Sequence, residues 1–347
     1  MNGLASHVII NPMLLDASGR DAWIAVICTG ILFLPWCAFV AWLMRKSGQQ
    51  KLQSWIAERT HPVVSWLLFA PIIVQLYLIG GMTASQTADW AITYYLPTTP
   101  KLVLILGITL LGMLCALWGL RVLAILSIIL LPFVILLGYF VSLSNSDQKD
   151  FHLLKPFVEN GWGPVLDGML YAAGGLTELI VVVTAMQHRI KTKIRPWHLM
   201  LYGFLSLYIM LGPIIGAITE FGPKEAALQM ESPFEQWRLV KLGPYVEHVD
   251  FFSIYQWMSG ATIRIGGAIF LLIELIPNIR KKVRNWTIGS IGVSYIFGSL
   301  VPVNFYTFYD WMHRYYIPFF LIVDLSVSFL WLTITWLPNH RRREKGA

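Results

Sequence analysis

Glu178 and Arg264 are the residues of this chain whose chemistry most needs explaining, because each sits within a run apolar enough to cross a membrane. A charge at the bilayer centre costs from about 2.5 to well over 10 kcal/mol unless it is paired or hydrated, so both must face protein. Glu178 follows Gly174-Gly175 inside the run from Pro164 to Gln187. Hydrocarbon holds no water for free backbone groups, so such a run can unwind only where protein or a wet cavity surrounds it. An unwound turn at Ala173, Gly174, Gly175, Leu176 and Thr177 would free amides and carbonyls. Helix-end partial charges of about half a unit would help these groups hold the ammonium and carboxylate of an amino acid. The competing account is close helix packing through small residues. Glu178 could anchor a ligand amine or act in proton coupling, or it could cap the inner half-helix. Arg264 could satisfy freed carbonyls as a tethered cation, pair with Glu178, or snorkel to the membrane surface.

These residues need apolar elements to hold them, and the composition supplies them. Hydrophobic residues make up 56% of the 347 residues and charged residues 13%, with a mean hydropathy of +0.61; soluble domains carry roughly 25% charged residues. The chain therefore reads as an integral protein of the lipid bilayer. Its net charge of +7 is not read as nucleic-acid binding, since no such motif is present and multispan proteins concentrate Lys and Arg in their cytoplasmic loops. Cys28, Cys37 and Cys115 all fall in apolar runs, so no disulfide framework, metal site or cofactor is expected. The first residues lack the basic start of a cleavable signal peptide.

A span needs about 20 apolar residues. By that ruler spans are expected at 22–44, 62–84, 102–118, 120–142, 164–187, 197–219, 249–276, 286–308 and 315–337, with an apolar stub at 3–15. Of the 26 Lys and Arg, 17 fall in alternate connections and the tail 338–347, against 8 in the opposite connections. This split predicts a cytoplasmic C-terminus. Loops about 143–163 and 220–248 then form the outer face. The stub reads as the outer half of a first span whose inner half this chain lacks, which makes 164–187 the sixth span of a five-plus-five arrangement. One transmembrane domain results, with repeats at about 1–142 and 164–337. Small residues interrupt both the first and the sixth span, at Gly3-Leu-Ala-Ser6 and Ala172-Ala-Gly-Gly175. Interruptions at matching positions of two halves point to a transporter-type binding site, to which Gly3, Ala5 and Ser6 would contribute.

A more specific pattern lies in the outer loop: Ser232-Pro-Phe-Glu-Gln-Trp-Arg238, then Gly243-Pro-Tyr-Val-Glu247-His-Val-Asp250, then Trp257. With Ala17-Ser-Gly-Arg-Asp-Ala-Trp23 and the Gly174-Gly175 to Glu178 run, it resembles the B subunits of bacterial spore germination receptors (the GerAB type). These are a branch of the amino acid/polyamine/organocation transporter superfamily, and the resemblance covers nearly the whole chain. It implies an all-α polytopic membrane protein with a LeuT-like five-plus-five inverted-repeat fold, broken first and sixth spans, and a first span truncated at its N-terminus. It also implies a nutrient-sensing subunit of the spore inner membrane that binds a small nutrient such as an amino acid. Its expected partners are an A-type membrane subunit and a C-type lipoprotein. In sodium-coupled relatives the eighth span helps to hold an ion, a place that Arg264 would fill here. The alternative within the superfamily is a proton-coupled amino acid transporter.

Tyr77, Trp257, Ser259 and Thr262 could line the pocket, or could simply pack. His7 could touch ligand or cap the stub, and Asp324 is expected to make an interhelical contact. Trp197, Tyr309, Trp311, Tyr315 and Tyr316 read as an interfacial belt. No nucleophile, base and orienting acid come together, and no phosphate-binding glycine loop is present, so an enzyme is not expected.

Overall fold

The computed structural model describes residues 2–243, 245–246 and 248–337. The expected cytoplasmic tail 338–347, with Pro244 and Glu247 of the loop pattern, lies outside the described residues. Among those described, the chain is helical, with one isolated bridge between Leu242 and Val246.

The chain begins with α1 (Asn2–Leu4), a π-helical turn (Ala5–Ile9) and α2 (Asn11–Ser18). It reverses at Gly19, whose φ of 52° suits a residue without Cβ. α3 (Ala22–Lys46) then runs back, so that Leu14 and Ala25 both lie against Gly168. A short helix that the spacing of apolar runs did not suggest, α4 (Leu52–Arg59), buries Leu52, Trp55 and Ile56. The long helices α5 (Pro62–Tyr94), α6 (Lys101–Trp118) and α7 (Leu120–Ser144) follow, the last two joined at Gly119 with φ 88°. After a loop come α8 (Trp162–Thr177), α9 (Leu179–Met186) and α10 (Pro196–Phe221), then the short α11 (Pro223–Leu228) and α12 (Ser232–Arg238). α13 (Phe252–Leu275), α14 (Lys281–Ser299), α15 (Phe305–Trp311), a π-helical turn (Met312–Tyr316) and α16 (Ile317–Thr335) complete the chain.

Among the described residues, eight helical segments are long and apolar enough to cross a membrane: Ala5–Lys46, which folds back at Gly19, Pro62–Tyr94, Lys101–Trp118, Leu120–Ser144, Trp162–Arg189, Pro196–Phe221, Phe252–Leu275 and Phe305–Thr335. The fold is thus that of a polytopic α-helical membrane protein. The spans expected at 286–308 and 315–337 are corrected. α14 stops at Ser299, and a new helix starts at Phe305. Pro302 cannot donate a helical hydrogen bond, and the Asn304 side chain caps Tyr306 N–H at 2.8 Å. Residues 309–314, expected to be a loop, are therefore helical.

Small residues let the helices approach, as membrane packing favours. A Cβ on Gly112 of α6 would lie 2.5 Å from Ile265 Cγ2 of α13, and one on Gly30 of α3 would lie 2.9 Å from Leu207 of α10. α5 also packs on α13, α2 on α8, α14 on α6 and α5, and α16 on α8. α13 buries Arg264 through Ile273 without interruption.

Candidate functional site

α5 and α13 cross antiparallel, and their polar positions meet. On α13, Trp257, Ala261 and Arg264 recur at helical spacing and share a face; on α5, Thr83, Thr87 and Trp90 do the same. The Trp257 indole N–H donates to Thr87 Oγ1 at 3.1 Å and its ring stacks on Trp90, centroids 4.5 Å apart. Two turns further along α13, Arg264 Nε donates to Thr83 Oγ1 at 3.1 Å. The guanidinium then grips Glu178 with both arms, Nη1 to Oε2 at 2.7 Å and Nη2 to Oε1 at 2.8 Å. Only 3% of Arg264 and 7% of Glu178 are exposed. Forked geometry of this kind is the strongest form of ion pair a protein makes. It resolves the sequence alternatives for Arg264 in favour of pairing over snorkelling.

Glu178 stands at the single-residue lapse between α8 and α9. The expected unwinding at Gly174-Gly175 does not occur. α8 remains helical through both glycines to Thr177, and Glu178 itself keeps right-handed helical dihedrals of −49° and −18°. The glycines serve contact instead: a Cβ on Gly174 would lie 2.4 Å from Ile317 Cγ2, and one on Gly175 would lie 2.7 Å from Ile10 Cγ1. Unwinding there would strand backbone groups among apolar side chains, at a cost of several kcal/mol per group. The expected interruption at Gly3 to Ser6 is likewise a widened turn. Ile10 N–H reaches back to the Ala5 carbonyl at 3.0 Å, and the Asn11 side-chain amide donates to the His7 carbonyl at 2.7 Å. Pro12 then restarts the α-helix at a position where its missing N–H is tolerated.

Beside the ion pair is a cavity of about 10 Å³, room for about one water. Its walls are Ala5, Ile9 and Ile10, then Ile79, Met82, Thr83 and Gln86 of α5, and Met312, Tyr316 and Ile317 near the start of α16, closed by Glu178 and Arg264. Two π-helical turns, Ala5–Ile9 and Met312–Tyr316, thus face each other across it. A second cavity of about 30 Å³ shares Ile9, Gln86 and Met312 and adds Glu231, Trp257, Phe308 and Tyr309. Gln86 Nε2 lies 3.7 Å from Met312 Sδ, between the two spaces. A solute the size of an amino acid reaches the ion pair only if these walls move.

Of the expected ligand contacts, Ala5 and Glu178 line the first cavity together with Arg264, and Trp257 lines the second. Gly174, Gly175 and Leu176 are buried in helix contacts, Ala173 is half-buried, and Thr177 donates to the Gly174 carbonyl at 3.5 Å. Ser6 is buried and its hydroxyl has no partner. Gly3 is exposed, with open space where a Cβ would be. Thr262 is half-buried and borders neither cavity. Tyr77 is corrected: it is 38% exposed and donates to Ser294 Oγ at 2.9 Å, so it belongs to the α5 to α14 contact. Ser259 is buried, His7 Nδ1 is 3.3 Å from the Ile209 carbonyl, and Asp324 accepts from Gln75 at 3.2 Å as an interhelical contact. Tyr309 and Tyr316 leave the interfacial belt for cavity walls, because the loop expected beside them is helix. Thr83, Gln86 and Met312 were not singled out from the sequence. The polar i, i+3, i+4 set Thr83, Gln86 and Thr87 on an apolar span was the signal that could have found the α5 face.

The loop pattern shapes the end of the bundle above the second cavity. Trp237 donates to Gln256 Oε1 at 2.8 Å, Arg238 pairs with Glu235 at 3.0 Å, and the Asp250 carbonyl accepts from Tyr95 at 2.9 Å. A family profile described as "Spore germination protein" matches residues 4–304. "Spore germination protein XB" of Bacillus anthracis is 37% identical over 344 residues, 98% of this chain and 96% of the relative. Such membership points to a receptor or permease rather than an enzyme. With a match over most of its length and eight membrane-crossing segments, this chain belongs to the spore germination protein family of multi-pass membrane proteins.

Proposed function

We propose that this chain is the nutrient-sensing membrane subunit of a spore germinant receptor, binding a small amino acid beside Glu178 and Arg264. The observation that carries the reading is the closed cavity where two π-helical turns meet a buried ion pair; π-turns within helices recur at functional sites. A zwitterion matches the pair it would split, its ammonium on Glu178 and its carboxylate on Arg264. The cavity is smaller than any amino acid, so a ligand favours a conformation with parted walls. The signal is bounded by the ligand's differential affinity for the two conformations. That shift would pass to an A-type membrane subunit and a C-type lipoprotein in the spore inner membrane.

The same reading gives the chain two inverted repeats, about 1–142 and 164–337, in a LeuT-like arrangement with the basic connections and the tail on the cytoplasmic side. Support comes from contacts that recur when the halves are exchanged: α6 on α13 answers α14 on α5, while α2 on α8, α3 on α10 and α5 on α13 each pair one half with the other. The π-turn and the lapse at Glu178 stand where unwound turns were expected.

The test is calorimetric titration of a panel of amino acids into the purified full chain in lipid nanodiscs, paired with uptake of the same labelled amino acid into proteoliposomes under a proton gradient. Saturable binding without flux supports the sensor. Flux driven by the gradient supports the proton-coupled transporter, and no saturable binding by assembled protein removes both.

A further inference from the structure

The second cavity contains an acid whose placement no structural role explains. Glu231 is the N-cap residue of α12 and belongs to the loop between α10 and α13, outside the spans. An acid there ordinarily turns its carboxylate onto the first free amides of its own helix. Glu231 makes no such bond, and Pro233, at the second helical position, offers no N–H. The side chain instead lines the cavity with Trp257, Phe305, Phe308 and Tyr309. The residue is 8% exposed, and Oε2 has no hydrogen-bond partner. Tyr94 hydrogen-bonds the carboxyl, Glu235 is the nearby like charge, and Arg238 is already paired with Glu235. Among the described residues Glu231 takes part in no ion pair. Burial, above all, pushes its carboxyl up to about 8, with Glu235 adding to the effect and the Tyr94 hydrogen bond opposing it.

A buried carboxyl in no ion pair, set among ring faces, is best complemented by a cationic donor. A small ammonium supplies the missing donor and the opposite charge, and it gains further from aromatic faces within about 6 Å. A space of about 30 Å³, two to three times the room one water needs, accepts such a group with a short alkyl stem. An anion would meet repulsion, and a neutral apolar group would leave Oε2 unsatisfied. We propose that this cavity is an ammonium-binding vestibule, in which Glu231 holds the amino group of a primary amine against Trp257 and Tyr309, above the Gln86 and Met312 contact that closes the inner cavity. Its role as a first station on the way to Glu178 and Arg264 rests on the proposed ligand site there; its chemistry does not.

The probe is ethylammonium, which stays charged across the pH range used, titrated into the full chain in nanodiscs and followed by calorimetry, with propionate as the anionic counterpart. Saturable binding of ethylammonium at pH 8.5 and none of propionate is the expected result, with affinity at least tenfold weaker in Glu231→Gln and retained in Glu231→Asp. In the unmodified chain, affinity should fall at least tenfold between pH 8.5 and pH 6.0, because the cation must displace a proton from the carboxyl. That readout needs no variant to fold. The proposal is overturned if the unmodified chain does not bind ethylammonium, if Glu231→Gln binds it as tightly, or if affinity is flat with pH. The two readings fail separately: Glu231-dependent ethylammonium binding with no amino acid binding removes the inner site alone, and amino acid binding with ethylammonium indifferent to Glu231 removes the vestibule alone.

Discussion

Glu178 and Glu231 are buried to nearly the same degree, 7% and 8% exposed, in cavities that share Ile9, Gln86 and Met312. Their partners differ completely. Glu178 has both oxygens held by a guanidinium that Thr83 also orients, whereas Glu231 keeps one oxygen unpartnered. Burial sets the cost of a charge, but partners decide what the group is free to do. The inner pair ties α8 and α9 to α13. The outer acid has one bond, to Tyr94 of α5, and keeps its second oxygen unpartnered.

The largest effect should come from breaking the inner pair on one side. Arg264→Met or Glu178→Gln leaves a charge or an unpaired polar group in a dry site and should cost about 3–5 kcal/mol, read as an earlier thermal unfolding midpoint in detergent. Joint replacement, Glu178→Leu with Arg264→Met, should recover most of that stability because no charge remains to be desolvated. The recovered protein should still fail to bind amino acid. If it binds normally, the pair is a structural tie alone.

The outer acid should respond with the opposite sign. Its folded value of about 8 lies above the usual carboxylate value of 4.5, so the folded chain holds a proton over that window that the unfolded chain has released. Stability is therefore lost as pH rises from about 4.5 through 8. Glu231→Gln removes that loss. It should equal the unmodified chain at pH 5 and exceed it at pH 9 by about 1–3 kcal/mol, the cost of a buried group short of a partner. Thermal unfolding at the two pH values checks this, and a variant less stable at pH 9 would mean that the carboxylate's bond to Tyr94 outweighs the cost of its burial.

The glycines of α8 sharpen the comparison on the Glu178 side. Helix propensity favours alanine over glycine by about 1 kcal/mol, but a Cβ at Gly175 meets Ile10 at 2.7 Å, and overpacking costs about 1–3 kcal/mol. Gly175→Ala should therefore destabilise by about 1–2 kcal/mol. An unwound glycine would have tolerated the change in packing but not in conformation, and hydrogen exchange of the 174–178 amides separates the two.

The membrane class and most span positions were legible in the sequence, and the pairing of Glu178 with Arg264 was one of the alternatives it left open, for one reason: hydrocarbon makes exposed polar groups so costly that their placement is nearly forced. The misreadings fall where that rule is indifferent. Gly174-Gly175 satisfies it equally as a break or as a packing notch, and only the positions of Ile10 and Ile317 choose between them. The reversal at 300–304 hides in an apolar run, since Pro302 and Asn304 decide it rather than hydropathy. Tyr316, read as interfacial beside an expected loop, became a cavity wall when that loop proved helical. Glu231 was one of several loop acids, because a cap position does not reveal which way its side chain turns.

The smallest effect concerns the wall that the vestibule shares with α5. Trp257 is held flat on Trp90 by its N–H bond to Thr87. Thr87→Val keeps the shape, removes the acceptor and leaves the indole N–H buried, at a cost of about 1 kcal/mol. If Trp257 only packs, ethylammonium affinity should not change. If its ring face is part of the vestibule, a loosened ring contributes less to a bound cation, worth about 0.5–1 kcal/mol, and affinity should fall roughly two- to fivefold while the pH dependence set by Glu231 stays the same. A loss of pH dependence in Thr87→Val would instead show that the ring positions the carboxyl, and the two walls of the vestibule would have to be treated as one unit.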